Sequence, residues 1–202
     1  MHDLVIRNAN IVDGTGADAY SGDIAIDGGT IAQVGGTAGA GKREIAANGA
    51  MASPGWVDVH THYDGQVTWD PVVSPSSWHG VTSMVMGNCG VGFAPVKPSD
   101  HNMLIELMEG VEDIPSAALH EGVPWNWESF PEFMDALEAM PRAIDVATQV
   151  PHNPVRAYVM GEDAGTDRPS TTEEREKMAA IVAEGMASGA LGFTTSRTKF
   201  HR

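Results

Sequence analysis

The stretch Pro54-Gly55-Trp56-Val57-Asp58-Val59-His60-Thr61-His62-Tyr63-Asp64 decides how this chain is read. Trp56-Val57-Asp58-Val59 is a short apolar run launched by the turn pair Pro54-Gly55, which predicts a buried strand. Residues i and i+2 of a strand point to the same face. His60 and His62 are therefore expected to project side by side from the end of a rigid element. Two neutral imidazoles so placed make a metal-ligand pair. A lone histidine is more often a hydrogen-bonded core residue. A pair at this spacing, followed at once by Tyr63-Asp64-Gly65, is far less ordinary.

Upstream of this stretch, residues 1–52 read as short strands. LVIRNANIVDG, DIAIDGGTIAQVG and REIAANGAMAS carry β-branched runs broken by turn signals, with Gly28-Gly29 as a hairpin and Asn48-Gly49 as a turn. Downstream, strands alternate with helices. VTSMVMG is a second strand, ending at Asn88-Cys89-Gly90. A helix is expected over about 102–110, with Ser99 and Asp100 as caps. Another starts at Ser129, where Ser129 and Glu132 form a capping-box pair ahead of Phe133, Met134, Leu137 and Met140. AIDVATQV is a third strand, ending near His152. A helix over about 172–188 opens on the pair Thr171 and Glu174, presents Met178, Ile181, Val182 and Met186 as one stripe, and ends before Gly189. ALGFTTS is a fourth strand. This alternation argues for a parallel sheet. Four strands cannot close an eight-stranded barrel, so the sequence reads as the incomplete front part of a larger fold.

Cys89 is the second strong signal. It follows the second strand as His62 follows the first, and adjacent strands lie about 4.8 Å apart. The strand ends can aim His60, His62 and Cys89 at one point, and zinc accepts both imidazole and thiolate. A buried free cysteine is more often packing material, but the GNCG context lowers that reading, because glycine permits a tight turn at a strand end. His152, at the end of the third strand, either faces the same centre or bonds backbone. Arg156 and Arg197 follow the third and fourth strands and could hold a substrate carboxylate, although a surface arginine is the commoner outcome. His79, ahead of the second strand, belongs to the opposite end of the sheet and reads as structural. Glu162-Asp163 and the run Glu173–Glu176 read as solvated.

Bulk composition narrows the function classes. The 202 residues carry 42% hydrophobic and 19% charged side chains, a globular balance. A net charge of −15 argues against nucleic acid and an anionic membrane surface as partners. The single cysteine rules out an intrachain disulfide and makes the cytoplasm the default compartment. The N-terminus lacks a signal-peptide pattern, and no apolar run reaches the roughly 18 residues of a membrane span.

PGWVDVHTHYDGQVTWDP, SSWHGVTSMVMGNCGVGFAPV and GALGFTTSR together resemble the N-acyl-D-amino-acid deacylases (D-aminoacylases) of the amidohydrolase superfamily. The resemblance implies an α/β protein with a small β-sandwich domain, of which residues 1–52 are part, ahead of a metal-dependent (β/α)8 TIM barrel. Residues 53–202 would form the first half of that barrel. It implies one or two zinc ions held by His60, His62 and Cys89 together with histidines from later strands, which are expected beyond Arg202. It also implies a substrate pocket lined by Thr195, Ser196 and Arg197, to which His152 and Arg156 are candidate additions. The substrate would be a small N-acyl-D-amino acid, hydrolysed to a carboxylate and the free D-amino acid. The general base, an aspartate on the last strand of the family's barrel, is expected beyond Arg202, so the chain as given is expected to be inactive alone. A homo-oligomer is open. Two other readings compete. A cyclic amidase of hydantoinase or dihydroorotase type needs a carboxylated lysine at the end of the fourth strand, where Lys199 lies several residues too late. A non-catalytic scaffold of the same fold has no need of three convergent ligands.

Overall fold

The computed structural model of the protein describes residues 1–112 and 114–196. The chain divides into two compact units, the first ending at Gly55 and the second beginning at Trp56. In the first, β1 (His2–Ile11) pairs antiparallel with β2 (Tyr20–Asp27) and parallel with β4 (Gly41–Ala46). β3 (Thr30–Val34) extends the sheet beyond β2, and β5 (Met51–Ala52) runs beside the end of β1. Gly28 and Gly29 join β2 to β3 with φ of 56° and 78°. Two consecutive positive φ values are what a tight hairpin between right-twisted strands requires.

Val5, Ala9, Ile11 and Ala25 are buried in this unit. The polar element is built around Arg7, whose guanidinium bonds Asp23 (2.8 Å), the carbonyls of Ala38 (2.8 Å) and Gly39 (2.9 Å), and both oxygens of Glu44 (3.1 and 2.5 Å). Asn8 takes φ 53° at the point where the β1–β2 register shifts, and its N–H lands on Asp23 at 2.9 Å.

In the second unit, β6 (Trp56–Asp58), β7 (Val81–Met86) and β8 (Asp145–Thr148) are parallel neighbours in that order, and β9 (Val150–Pro151) pairs parallel with β10 (Phe193–Thr194). Only Gln149 separates β8 from β9. Its N–H bonds Met86 O at 3.1 Å, while the N–H groups of Val150 and Leu191 bond Gly192 O (2.8 Å) and Thr148 O (2.9 Å). With β8 and β9 taken as one strand interrupted at Gln149, four parallel strands thus succeed one another in chain order, as the strand–helix alternation implies.

The helices are α1 (His101–Glu112), α2 (Ser116–Gly122), α3 (Phe130–Ala139), α4 (His152–Met160) and α5 (Thr172–Ala187). Both capping boxes, Ser129 with Glu132 and Thr171 with Glu174, form. Met84, Met86, Phe93, Leu104, Phe130 and Phe133 are among the side chains that make one buried core, and Trp127 ties its indole N–H to Phe93 O at 2.9 Å.

Three readings are corrected. Trp56, Val57 and Val59 are 59, 61 and 66% exposed rather than buried, because β6 is an edge strand with β7 as its one neighbour among the described residues. Met186 is 43% exposed and departs from the stripe, whereas Met178, Ile181 and Val182 pack on the core. His152 is the first residue of α4 rather than the last of a strand. Two helices carry no clear sequence signature: α4, with Pro154 tolerated in its first turn, and α2, a short helix that buries Leu119 alone.

Candidate metal centre

The ends of β6 and β7 bring two turns together. After β6, residues 59–65 leave the strand and carry both histidines, with the N–H and the hydroxyl of Thr61 bonding Val85 O at 3.1 and 2.8 Å. After β7, Gly87-Asn88-Cys89-Gly90 turns sharply. Gly87 has φ 71° and lies so close to the next strand that a Cβ there would stand 2.2 Å from Gln149 O. Cys89 itself sits at φ 56°, ψ 8°, a left-handed conformation that costs an L-residue with a Cβ about 1–2 kcal/mol. Residues are held in such regions where the surroundings over-determine them, which happens most often at sites.

The result is a cluster in which one ligand atom each from His60, His62 and Cys89 lies within 4.8 Å of the others. His60 Nε2 is 3.2 Å from Cys89 Sγ, and the two imidazole centroids are 5.5 Å apart with planes tilted by 58°. His60 is exposed and the other two are half-buried. Together with Asp58, Tyr63, Gln66 and Ile114, the histidines line an open cleft of about 380 Å³. Two imidazoles on a cleft with a thiol converging on them are the donor set that suits zinc, and a thiol beside such a cation ionises at neutral pH.

Asp64 stands just behind this cluster. It is 2% exposed, its Oδ1 accepts from Gly87 N–H at 2.8 Å, and its Oδ2 has no hydrogen-bond partner among the described residues. Burial pushes its carboxyl up to about 7, against the opposing pull of the Gly87 N–H. Asp64 follows His62 by two residues, and a carboxyl at that spacing is the signal by which the sequence marks it.

The other candidates gather at a neighbouring place. A Cβ on Gly90 would lie 3.1 Å from Thr195 Cα and 3.4 Å from His152 Cβ, so the cysteine turn abuts the ends of β9 and β10. His152 Nδ1 is 3.1 Å from Thr195 Oγ1. His152, Arg156 and Ser196 line a cavity of about 800 Å³ whose apolar wall includes Met103 and Leu107 of α1 and Ala157 of α4. Arg156 is not a free surface cation: it donates to Ala164 O (2.8 Å) and Arg168 O (3.0 Å), fixing the loop after α4. His79 closes a 3-10 turn, Ser76–His79, ahead of β7. Arg197 and Lys199 lie outside the described residues.

The amidohydrolase family profile matches residues 43–202. The chain belongs to the amidohydrolase family. It is similar to the D-aminoacylase of Alcaligenes xylosoxydans xylosoxydans, with 31% identity over 96% of this chain and 37% of that protein. Among solved structures it is similar to a D-aminoacylase described for its binuclear metal centre, with one-metal activation and second-metal attenuation (TM-score 0.80, 31% identity, 96% of this chain and 38% of that one). It is also similar to an N-acyl-D-glutamate deacylase from Bordetella bronchiseptica complexed with zinc and a phosphonate inhibitor that mimics the tetrahedral intermediate (TM-score 0.79, 29% identity, 96% and 38%). The α/β fold described above is thus that of the D-aminoacylases, and the chain spans just over a third of the length of these relatives.

Proposed function

We propose that this chain carries the histidine-cysteine corner of the active site of a zinc-dependent hydrolase that cleaves the amide of N-acyl-D-amino acids. The observation that carries the reading is the convergence of His60, His62 and Cys89 within 4.8 Å. The zinc and the binuclear centre of the two solved relatives support one or two zinc ions as the cofactor. The N-acyl-D-amino acid as substrate is supported by the activities named for those relatives.

His60, His62 and Cys89 would hold the ion. When bound, zinc supplies Lewis acidity for amide hydrolysis, polarising a carbonyl and acidifying water. The chain's own residues do the rest of what can be assigned here. The half-buried Cys89 would supply the sulfur donor, and the turn around it fixes that sulfur against His60. His152, Arg156, Thr195, Ser196 and Arg197 form the substrate-binding set, beside a cavity whose apolar wall includes Met103, Leu107 and Ala157. Residues 1–52 take the role of the β-sandwich part and residues 53–202 that of the first half of a (β/α)8 barrel. The setting is cytoplasmic and the partner a small molecule.

Metal analysis of the purified protein tests this. Wild type is expected to retain zinc at stoichiometric level, and Cys89→Ala to lose most of it. Zinc content unchanged in a variant lacking His60, His62 and Cys89 together would sink the reading. A chain extended over the full length of these relatives should hydrolyse N-acetyl amino acids with a preference for the D over the L enantiomer.

A further inference from the structure

We propose that Asn88 is a positioning residue for the centre: its carboxamide cross-links the peptide between the two histidines to the turn that bears the cysteine, setting the spacing of the three donors before a metal arrives. This rests on His60, His62 and Cys89 being the ligands. Asn88 is 6% exposed. Its Nδ2 gives one proton to Thr61 O at 3.1 Å and the other to Val85 O at 2.9 Å, and its Oδ1 accepts from Gln149 Nε2 at 2.9 Å. A carboxamide offers two protons and one acceptor oxygen, so both protons are committed and the oxygen is engaged.

The identity of the partners gives the network its meaning. Thr61 stands between His60 and His62, Asn88 is bonded directly to Cys89, and Gln149 sits between β8 and β9. One amide therefore ties three neighbouring strand ends together at the level of the donor atoms. Few other side chains of this size can do it. An aspartate would turn an acceptor toward two carbonyls, and an apolar residue would leave the Gln149 amide without its acceptor in a half-buried place. Asp64 makes a second tie between the same two turns, through Gly87 N–H, but with a single bond. The left-handed backbone of Cys89 needs such restraint, since its strain is relieved as soon as the turn is free to relax.

Residues behind metal ligands typically cost 10–100-fold in metal affinity when changed, and Asn88 acts at that distance through the backbone rather than through a ligand ring. The test uses the full chain as wild type, Asn88→Ala and Gln149→Met, the last removing only the donor to Asn88 Oδ1 from a partly exposed side chain. Zinc affinity is read by chelator competition, geometry by the thiolate-to-cobalt charge-transfer band after cobalt(II) loading, and folding by the unfolding midpoint of the metal-free protein. Asn88→Ala is expected to weaken zinc binding by about 10–100-fold and to diminish or shift the band. Gln149→Met should weaken it several-fold in the same direction. Zinc affinity and band like wild type in the two variants, with only the unfolding midpoint lowered, would overturn the proposal and leave Asn88 a fold residue. If Asn88→Ala does not fold, Gln149→Met decides by the same two readouts. A wild type that binds neither metal would instead bring down the metal reading itself, and this inference with it.

Discussion

Asp23 and Asp64 are both buried aspartates, one in each unit, at 8 and 2% exposure. Asp23 accepts from the backbone N–H groups of Asn8 (2.9 Å) and Ala38 (3.0 Å) and from Arg7 (2.8 Å). Those donors, the two backbone groups foremost, pull its carboxyl down to about 2. Asp64 has one backbone donor, and burial drives its carboxyl up to about 7. The first is a saturated network, and its product is a fixed sheet. The second belongs to a rim where several local rules are broken at once: a half-satisfied carboxyl, a cysteine at φ 56° and a turn glycine pressed against a carbonyl. Folded chains break such rules at functional or strained places, where the cost is offset elsewhere. The contrast is between a carboxylate held by donors from three residues and a carboxyl held by one.

The sharpest way to break the comparison is to give each unit an alanine at a left-handed glycine. Gly87→Ala adds a Cβ 2.2 Å from Gln149 O and imposes φ 71° on an L-residue, so overpacking and backbone strain add to about 3 kcal/mol of destabilisation. Gly29→Ala, at φ 78° with nothing within 4 Å of the new Cβ, bears the strain alone, about 1 kcal/mol. Urea unfolding of the two variants measures the gap. Equal losses would mean that the close approach at the cysteine turn is not a constraint.

A smaller effect bears on the cysteine. Cys89→Ala and Cys89→Gly both remove the thiol, and both are expected to lose metal. They differ in backbone: glycine relieves the left-handed strain but costs more chain entropy on folding. Metal-free Cys89→Gly should therefore be more stable than Cys89→Ala by about 0.5–1 kcal/mol. The reverse order in unfolding midpoint would show that this turn is not strained.

The sequence made the cluster legible because its members announce themselves: a His-x-His at a strand end and a cysteine between glycines carry their chemistry in residue type and spacing. The capping boxes at Ser129 and Thr171 were equally readable, since their hydrogen bonds are local. What stayed hidden depends on residues far apart in the chain. Asn88 looks like a turn residue until Thr61 and Gln149 are seen to converge on its amide. Arg156 reads as a substrate cation or a surface arginine, and its bonds to Ala164 O and Arg168 O depend on a loop whose path no local pattern reveals. The exposure of Trp56 and Val57 was unreadable for a related reason, because apolar composition does not reveal what packs on a strand's faces. His152 was misplaced by a single residue, at the junction where β9 passes straight into α4.

A pH-dependent effect tests the saturated side. In Asp23 the folded carboxyl, at about 2, lies below its ordinary 3.8, so the folded chain releases its proton more readily than the unfolded chain does. The stability this carboxylate contributes is complete above pH 3.8 and is lost as pH falls through about 2. Asp23→Asn keeps the size but turns an N–H group toward donors, so the midpoint of thermal unfolding should fall by several degrees at neutral pH. The difference between variant and wild type should then shrink across that acid window, because the wild type loses there what the variant already lacks. Glu44, also held at about 2, chiefly by Arg7, titrates in the same window and feels the charge of Asp23, so the pair of proteins is compared in a Glu44→Gln background. A difference that stays constant from neutral pH to pH 2 would show that Asp23 acts by shape alone and would dissolve the contrast with Asp64.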